Sequence, residues 1–152
     1  THLRDGLCVS RIAREIGEKI LQDVVAEVNR STSAYLFTHV HLAELAGQAR
    51  ESIEHRSYKR LARIVAESWK ANTLIHPSST NEEVDELLAA TSRYTAGVKL
   101  LGAGGGGYAL FASPTAEKAE ELRELLRIRF ENERARIVDF TLNDTGLKTS
   151  VS

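Results

Sequence analysis

Five of the ten glycines in this 152-residue chain fall within six positions, Gly102-Ala103-Gly104-Gly105-Gly106-Gly107. Glycine loses more conformational freedom on folding than any other residue, so a run this dense implies backbone that turns sharply or approaches something closely. Val98, Leu100 and Leu101 precede it, and Tyr108, Ala109, Leu110 and Phe111 follow it. Both flanks are apolar and strand-like, so the run is predicted to connect two strands of a hairpin. Its backbone N–H groups would form a nest able to hold an anion or to pack against a neighbouring nucleotide loop. The plainer alternative is a flexible hairpin tip without a ligand.

Three glycine motifs can be tested against this placement. Gly102, Gly104 and Gly107 formally satisfy the G-x-G-x-x-G dinucleotide fingerprint. That fingerprint must open a helix whose N-terminus carries the pyrophosphate, whereas a strand follows here. A P-loop ends in Gly-Lys-Ser/Thr, but Gly107 is followed by Tyr108 and Ala109. A protein-kinase glycine loop does lie in a hairpin, yet the chain contains neither His-Arg-Asp nor Asp-Phe-Gly.

Composition narrows the classes. A hydrophobic content of 42% with 27% charged residues suits a soluble globular domain with a sizeable core. A net charge of −1 gives no electrostatic case for nucleic acid or for an anionic membrane. The lone Cys8 excludes an internal disulfide framework and fits a reducing, cytoplasmic compartment. No apolar run is long enough to span a membrane, and no signal peptide is recognisable. The chain has no methionine, even at position 1. We therefore expect residues 1–152 to be one domain cut from a longer protein, removal of an initiator methionine before Thr1 being the alternative.

Periodicity supplies the elements. Val9, Ile12, Ala13, Ile16, Ile20, Val24 and Val28 recur at three- and four-residue spacing, predicting one long amphipathic helix. Asn29–Ser33 is a polar break. Leu42, Leu45, Ala46, Ala49 and Ile53 predict a second helix, interrupted at His55–Ser57. Leu61, Ala62, Ile64, Val65, Ser68 and Trp69 predict a third, running to about Leu74. Pro77, Ser78 and Ser79 mark a loop. Thr80 with Glu83 fits a capping box opening a fourth helix through Val84, Leu87 and Leu88. Strands are predicted at Val98–Leu101 and Tyr108–Ser113. Ser113 as N-cap and Pro114 at the first helical position would start a fifth helix with Ala119, Leu122, Leu126 and Phe130 inward. Ile137, Val138, Phe140 and Leu142 read as a third strand, and Leu147–Val151 as a short fourth. Helices followed by β-β-α-β-β predict an α+β fold with an antiparallel sheet and helices on one face.

Candidate chemistry is sparse. His39 and His41 could be a metal pair, but no Cys, Asp or Glu cluster has zinc spacing, and they read as ordinary surface or capping residues. His2, His55 and His76 are isolated. Asp139 lies in an apolar strand and could face a cleft, while Asp144 beside Asn143 suits a turn. No catalytic base, nucleophile pair or magnesium ligand can be argued from spacing. Trp69 and Asn72 share a helix face, and Trp69 reads as a packing anchor rather than a sugar-stacking platform.

The stretch Lys99-Leu100-Leu101-Gly102-Ala103-Gly104-Gly105-Gly106-Gly107-Tyr108-Ala109-Leu110-Phe111 resembles the third conserved motif of the GHMP small-molecule kinases, among them galactokinase, homoserine kinase, mevalonate kinase and phosphomevalonate kinase. Trp69–Pro77 with Thr80–Val84, and the tail Asp139–Ser150, are similar to L-fucokinases; the D-glycero-D-manno-heptose kinases share the first stretch but fit the tail less well. The resemblance implies a ferredoxin-like C-terminal domain whose Gly102, Ala103, Gly104, Gly105, Gly106 and Gly107 line the cleft and support the nucleotide loop of a separate N-terminal domain. It implies ATP and Mg²⁺ as cofactors, and L-fucose phosphorylated at its anomeric oxygen, in some members with a fused guanylyltransferase that makes GDP-fucose. In that family the ATP-binding loop and the catalytic acidic residue belong to the N-terminal domain, and neither motif occurs in this chain. The remaining alternatives are a heptose 7-phosphate kinase, a non-catalytic small-molecule-binding or regulatory module, and a structural half that forms a dimer or domain contact.

Overall fold

The computed structural model describes residues 7–12, 33–75, 77–102, 104–132 and 135–141. Among the described residues the α-helices and strands follow in chain order as β1 (Leu7–Ile12), α1 (Ser33–Glu54), α2 (Tyr58–Ile75), α3 (Glu82–Thr91), β2 (Gly97–Leu101), β3 (Gly107–Ala112), α4 (Ala116–Arg129) and β4 (Arg136–Val138). The strands form one antiparallel sheet in the order β2-β3-β1-β4. A β-α-β-β-α-β order in which β3 lies between β1 and β2, and β1 between β3 and β4, is the ferredoxin-like arrangement. The α+β class therefore holds, but a strand precedes the helices.

That strand corrects the reading of Val9 and Ile12 as the start of a long helix. Leu7–Ile12 pairs along its whole length with β3, from Leu7 opposite Ala112 to Ile12 opposite Gly107, and on its other side with β4. The backbone hydrogen bonds of both neighbouring strands outweigh a three-residue apolar spacing that only mimics a helical period. Residues 13–28, over which the periodicity predicts the rest of that helix, lie outside the described residues, as do Leu142 and Leu147–Val151. β4 ends at Val138, so Phe140 is not in it.

The core sits on one face of the sheet. Leu100, Ala109 and Phe111 point into it from β2 and β3. Trp69 of α2, Val84 and Leu87 of α3, and Leu122 and Leu126 of α4 close over them. Leu100, Phe111 and Leu122 are wholly buried. The spacings read for α2, α3 and α4 lie on the buried sides of those helices, whereas in α1 the predicted Ala46 and Ile53 are exposed. α1 lies outside this layer against α2 and buries Leu45 and Ser52. It ends in a Schellman turn, with Ser57 N–H donating to the Ser52 carbonyl and Arg56 N–H to that of Ile53. Arg56 takes the left-handed conformation that this turn requires, at φ 54°. The break at His55–Ser57 is thus a helix end.

Two caps differ from the sequence reading by one or two residues. α3 is capped by Asn81, whose Oδ1 accepts from Val84 N–H at 2.9 Å, while Thr80 donates its hydroxyl to Asp85. α4 is capped by Thr115, whose Oγ1 accepts from Lys118 N–H at 3.1 Å; Pro114 precedes the helix, and the buried Ser113 hydroxyl finds no partner among the described residues. Both caps answer the same need, an acceptor for the unpaired N–H groups of the first turn. Thr115→Ala should therefore cost about 1 kcal/mol in denaturant unfolding, and Ser113→Ala close to nothing.

Candidate functional site

The glycine run lies at the tip of the β2–β3 hairpin, as the flanking residues predict. The register is regular up to the tip, with Leu100 opposite Ala109 and Leu101 opposite Tyr108. Beyond it the backbone enters territory that side chains resist. Gly102 has φ +95°, Gly104 +95°, Gly105 +69°, Gly106 +152° and Gly107 +94°. An L-residue with a Cβ pays a steric penalty through most of that range, so the glycines here are a conformational requirement.

The run is neither floppy nor free-standing. Gly104, Gly105, Gly106 and Gly107 are buried, Gly102 is exposed, and Ala103 lies outside the described residues. Gly105 N–H donates to the Ser79 carbonyl at 2.7 Å, and the Gly105 carbonyl accepts from Asn81 Nδ2 at 3.0 Å. Gly104 packs so closely on Ser79 that an added Cβ would lie 2.4 Å from its carbonyl oxygen and 2.7 Å from its Cα. Ser79, itself buried, donates its hydroxyl to the Asn72 carbonyl at 3.3 Å. The end of α2, the 3₁₀ turn Pro77–Ser79, the N-terminus of α3 and the glycine loop are thereby tied together.

This corrects one expectation about the nest. Its Gly105 amide is already satisfied within the chain and does not await an anion. The sequence reading found the glycines but missed Ser79 and Asn81. The available signal was two adjacent cap-forming residues, Thr80 and Asn81, after Pro77-Ser78-Ser79, and it identified the wrong one.

The other candidates resolve simply. Trp69 is buried in the core, so it is a packing anchor. His41 places Nε2 3.2 Å from Glu67 Oε1, linking α1 to α2. Asp139 is exposed just after β4, and Asp144, Asn143, His2 and His76 lie outside the described residues. Among the described residues no three His, Cys, Asp or Glu side chains converge on a possible metal position. Lys99, on β2 just before the loop, is half-buried, and burial pushes its ammonium pKa below the usual lysine value. Among the described residues no helix is long and apolar enough to cross a membrane.

Residues 49–132, which run from α1 through α4 and contain the whole hairpin, match the family model for the C-terminal region of GHMP kinases. The chain belongs to the GHMP kinase family. Two curated relatives sharpen the picture. The bifunctional fucokinase/GDP-fucose pyrophosphorylase of Arabidopsis thaliana is 33% identical over 111 residues, covering 73% of this chain and 10% of its own length. The L-fucokinase/L-fucose-1-P guanylyltransferase of Bacteroides fragilis is 30% identical over 133 residues, covering 88% of this chain and 14% of its own. The chain thus spans only a small part of these relatives.

Solved structures agree on the fold. The mevalonate kinase of L. major superposes with a TM-score of 0.69 at 17% identity, over 81% of this chain and 38% of that one. The Lin0012 protein of Listeria innocua gives 0.72 at 16% identity, over 88% and 41%. In this member of the GHMP kinase family the glycine hairpin falls inside residues 49–132, the part that matches the family's C-terminal region.

Proposed function

We propose that residues 1–152 form the C-terminal domain of an ATP-dependent sugar kinase, acting in the cytoplasm, that phosphorylates L-fucose to L-fucose 1-phosphate. The observation that carries the reading is the clamped glycine hairpin, within a chain whose curated relatives are named as fucokinases. The N-terminal domain, which holds the nucleotide loop and the catalytic acidic residue in the family, would be the partner. Gly102 to Gly107 would form one wall of the nucleotide cleft, where backbone without Cβ atoms lets the opposite loop approach.

ATP supplies the phosphoryl group. The sugar's anomeric oxygen bonds to the γ-phosphorus, the bond to the β–γ bridging oxygen breaks, and the hydroxyl proton leaves to a base. Among the described residues no three His, Cys, Asp or Glu side chains converge on a possible magnesium position; on this reading the base and the metal ligands belong to the partner domain. This domain's contribution is rigidity. A loop held by Ser79 and Asn81 positions the phosphates without reorganisation during transfer.

The test is ADP release by the full-length protein with ATP and Mg²⁺ against L-fucose, D-arabinose, D-galactose and D-glycero-D-manno-heptose 7-phosphate. Turnover selective for L-fucose is expected. Selectivity for the heptose phosphate would keep the kinase and replace the sugar. No sugar-dependent ADP from a folded sample would overturn the reading in favour of a binding module.

A further inference from the structure

We propose that Asn81 is a positioning residue for the glycine loop, one amide joining the N-cap of α3 to the loop backbone. Its two ends face opposite chemical demands. Val84 N–H can only donate, so Oδ1 must face it, at 2.9 Å; the Gly105 carbonyl can only accept, so Nδ2 must face it, at 3.0 Å. The Asn81 carbonyl also accepts from Asp85 N–H at 2.8 Å, which fixes the residue in the first turn. Because Gly105 N–H donates to Ser79, both polar groups of the Gly105 backbone are held by residues 79–81. Asn81 therefore transmits the position of α3 to the loop. On the kinase reading above, on which this inference rests, that contact sets the wall against which ATP is placed.

An aspartate separates the two halves of this role. Asp caps a helix as well as Asn does, and its charge suits the helix N-terminus. It has no N–H to offer Gly105, and it places a carboxylate oxygen against a carbonyl oxygen. The experiment compares wild type, Asn81→Asp and Asn81→Ala in the full-length protein. It measures melting temperature, amide hydrogen exchange of the peptide spanning residues 101–108, and steady-state kinetics in ATP and in sugar.

Asn81→Asp should melt within about 2 °C of wild type. Its loop amides should exchange about tenfold faster, and kcat/KM for ATP should fall about tenfold with the sugar KM unchanged. Asn81→Ala should add a loss of melting temperature. Wild-type exchange and wild-type ATP kinetics in Asn81→Asp would overturn the proposal. So would a loss of melting temperature in Asn81→Ala with wild-type loop exchange in both variants, since the effect of Asn81 would then belong to the cap alone. If the wild-type protein phosphorylates no sugar, the kinase reading fails by itself, and the exchange rates still decide whether Asn81 holds the loop.

Discussion

On the proposed kinase function, Gly104→Val is expected to abolish most turnover of the full-length protein, by a hundredfold or more, while the domain still unfolds cooperatively. Two independent penalties act at this position. The backbone stands at φ +95°, which costs a residue with a Cβ about 1–3 kcal/mol. The Cβ would also lie 2.4 Å from the Ser79 carbonyl oxygen and 2.9 Å from its carbonyl carbon. These are backbone atoms in a buried residue and cannot swing aside, so the loop must move. Moving it breaks the hydrogen bond from Gly105 to Ser79, which accepts on that same oxygen. A total of about 3 kcal/mol would lower the melting temperature by about 6–12 °C. The core residues Leu100, Phe111 and Leu122 lie away from the tip and stay packed. Gly102→Ala is the control, because it has the same φ of +95° but nothing within 4 Å of its Cβ. It should cost about 1 kcal/mol in unfolding, well below the cost of Gly104→Val. Wild-type kinetics and melting in Gly104→Val would refute this account of the loop.

Gly97→Ala should be the most damaging single methyl in the described part of the chain. Its Cβ would lie 1.9 Å from the Ala62 carbonyl oxygen and 2.8 Å from the carbonyl carbon. Here the backbones of β2 and α2 touch, and the strand must retreat by more than an ångström to reach an ordinary contact. Overpacking a well-filled interior commonly costs about 1–3 kcal/mol, and a backbone-to-backbone clash lies at or above the top of that range. β2 also carries Leu100, wholly buried in the core, so its displacement spreads. Because the opposing atom is main chain, Ala62→Gly cannot rescue the variant. Denaturant unfolding of Gly97→Ala and of the double variant decides the point. Rescue by Ala62→Gly, or a cost below about 1 kcal/mol, would contradict the close approach.

The parts of this fold that the sequence made legible are those governed by local pattern. Leu61 to Trp69, Val84 with Leu87, and Ala119 with Leu122 and Leu126 announce α2, α3 and α4, because each helix must bury one stripe against the same sheet. The hairpin was legible for a related reason, since a glycine run between two apolar strand-like segments has few other uses. Leu7–Ile12 was not legible. It alternates weakly, and its state is decided by pairing with residues 107–112 and 136–138, about a hundred positions away. The caps failed on a smaller scale. Thr80 and Asn81, or Ser113 and Thr115, can all cap by residue type, and the geometry of the preceding turn selects between them.

The site divides along the same line. The glycines are visible because backbone conformation selects residue type directly. The clamp is invisible because Asn81 and Gly105 are 24 positions apart and meet through one amide and one carbonyl. No periodicity records such a contact. The same limit applies to Ser79, whose carbonyl would serve the loop whatever its side chain.

The central claim is that this glycine hairpin forms one wall of an ATP cleft. Its most direct test is amide hydrogen exchange of the peptide spanning residues 101–108 in the full-length protein, with and without Mg²⁺ and a non-hydrolysable ATP analogue. The account predicts slower exchange across Gly104–Gly107 at saturating nucleotide. Unchanged exchange there, in a protein whose nucleotide site elsewhere becomes protected, would contradict it.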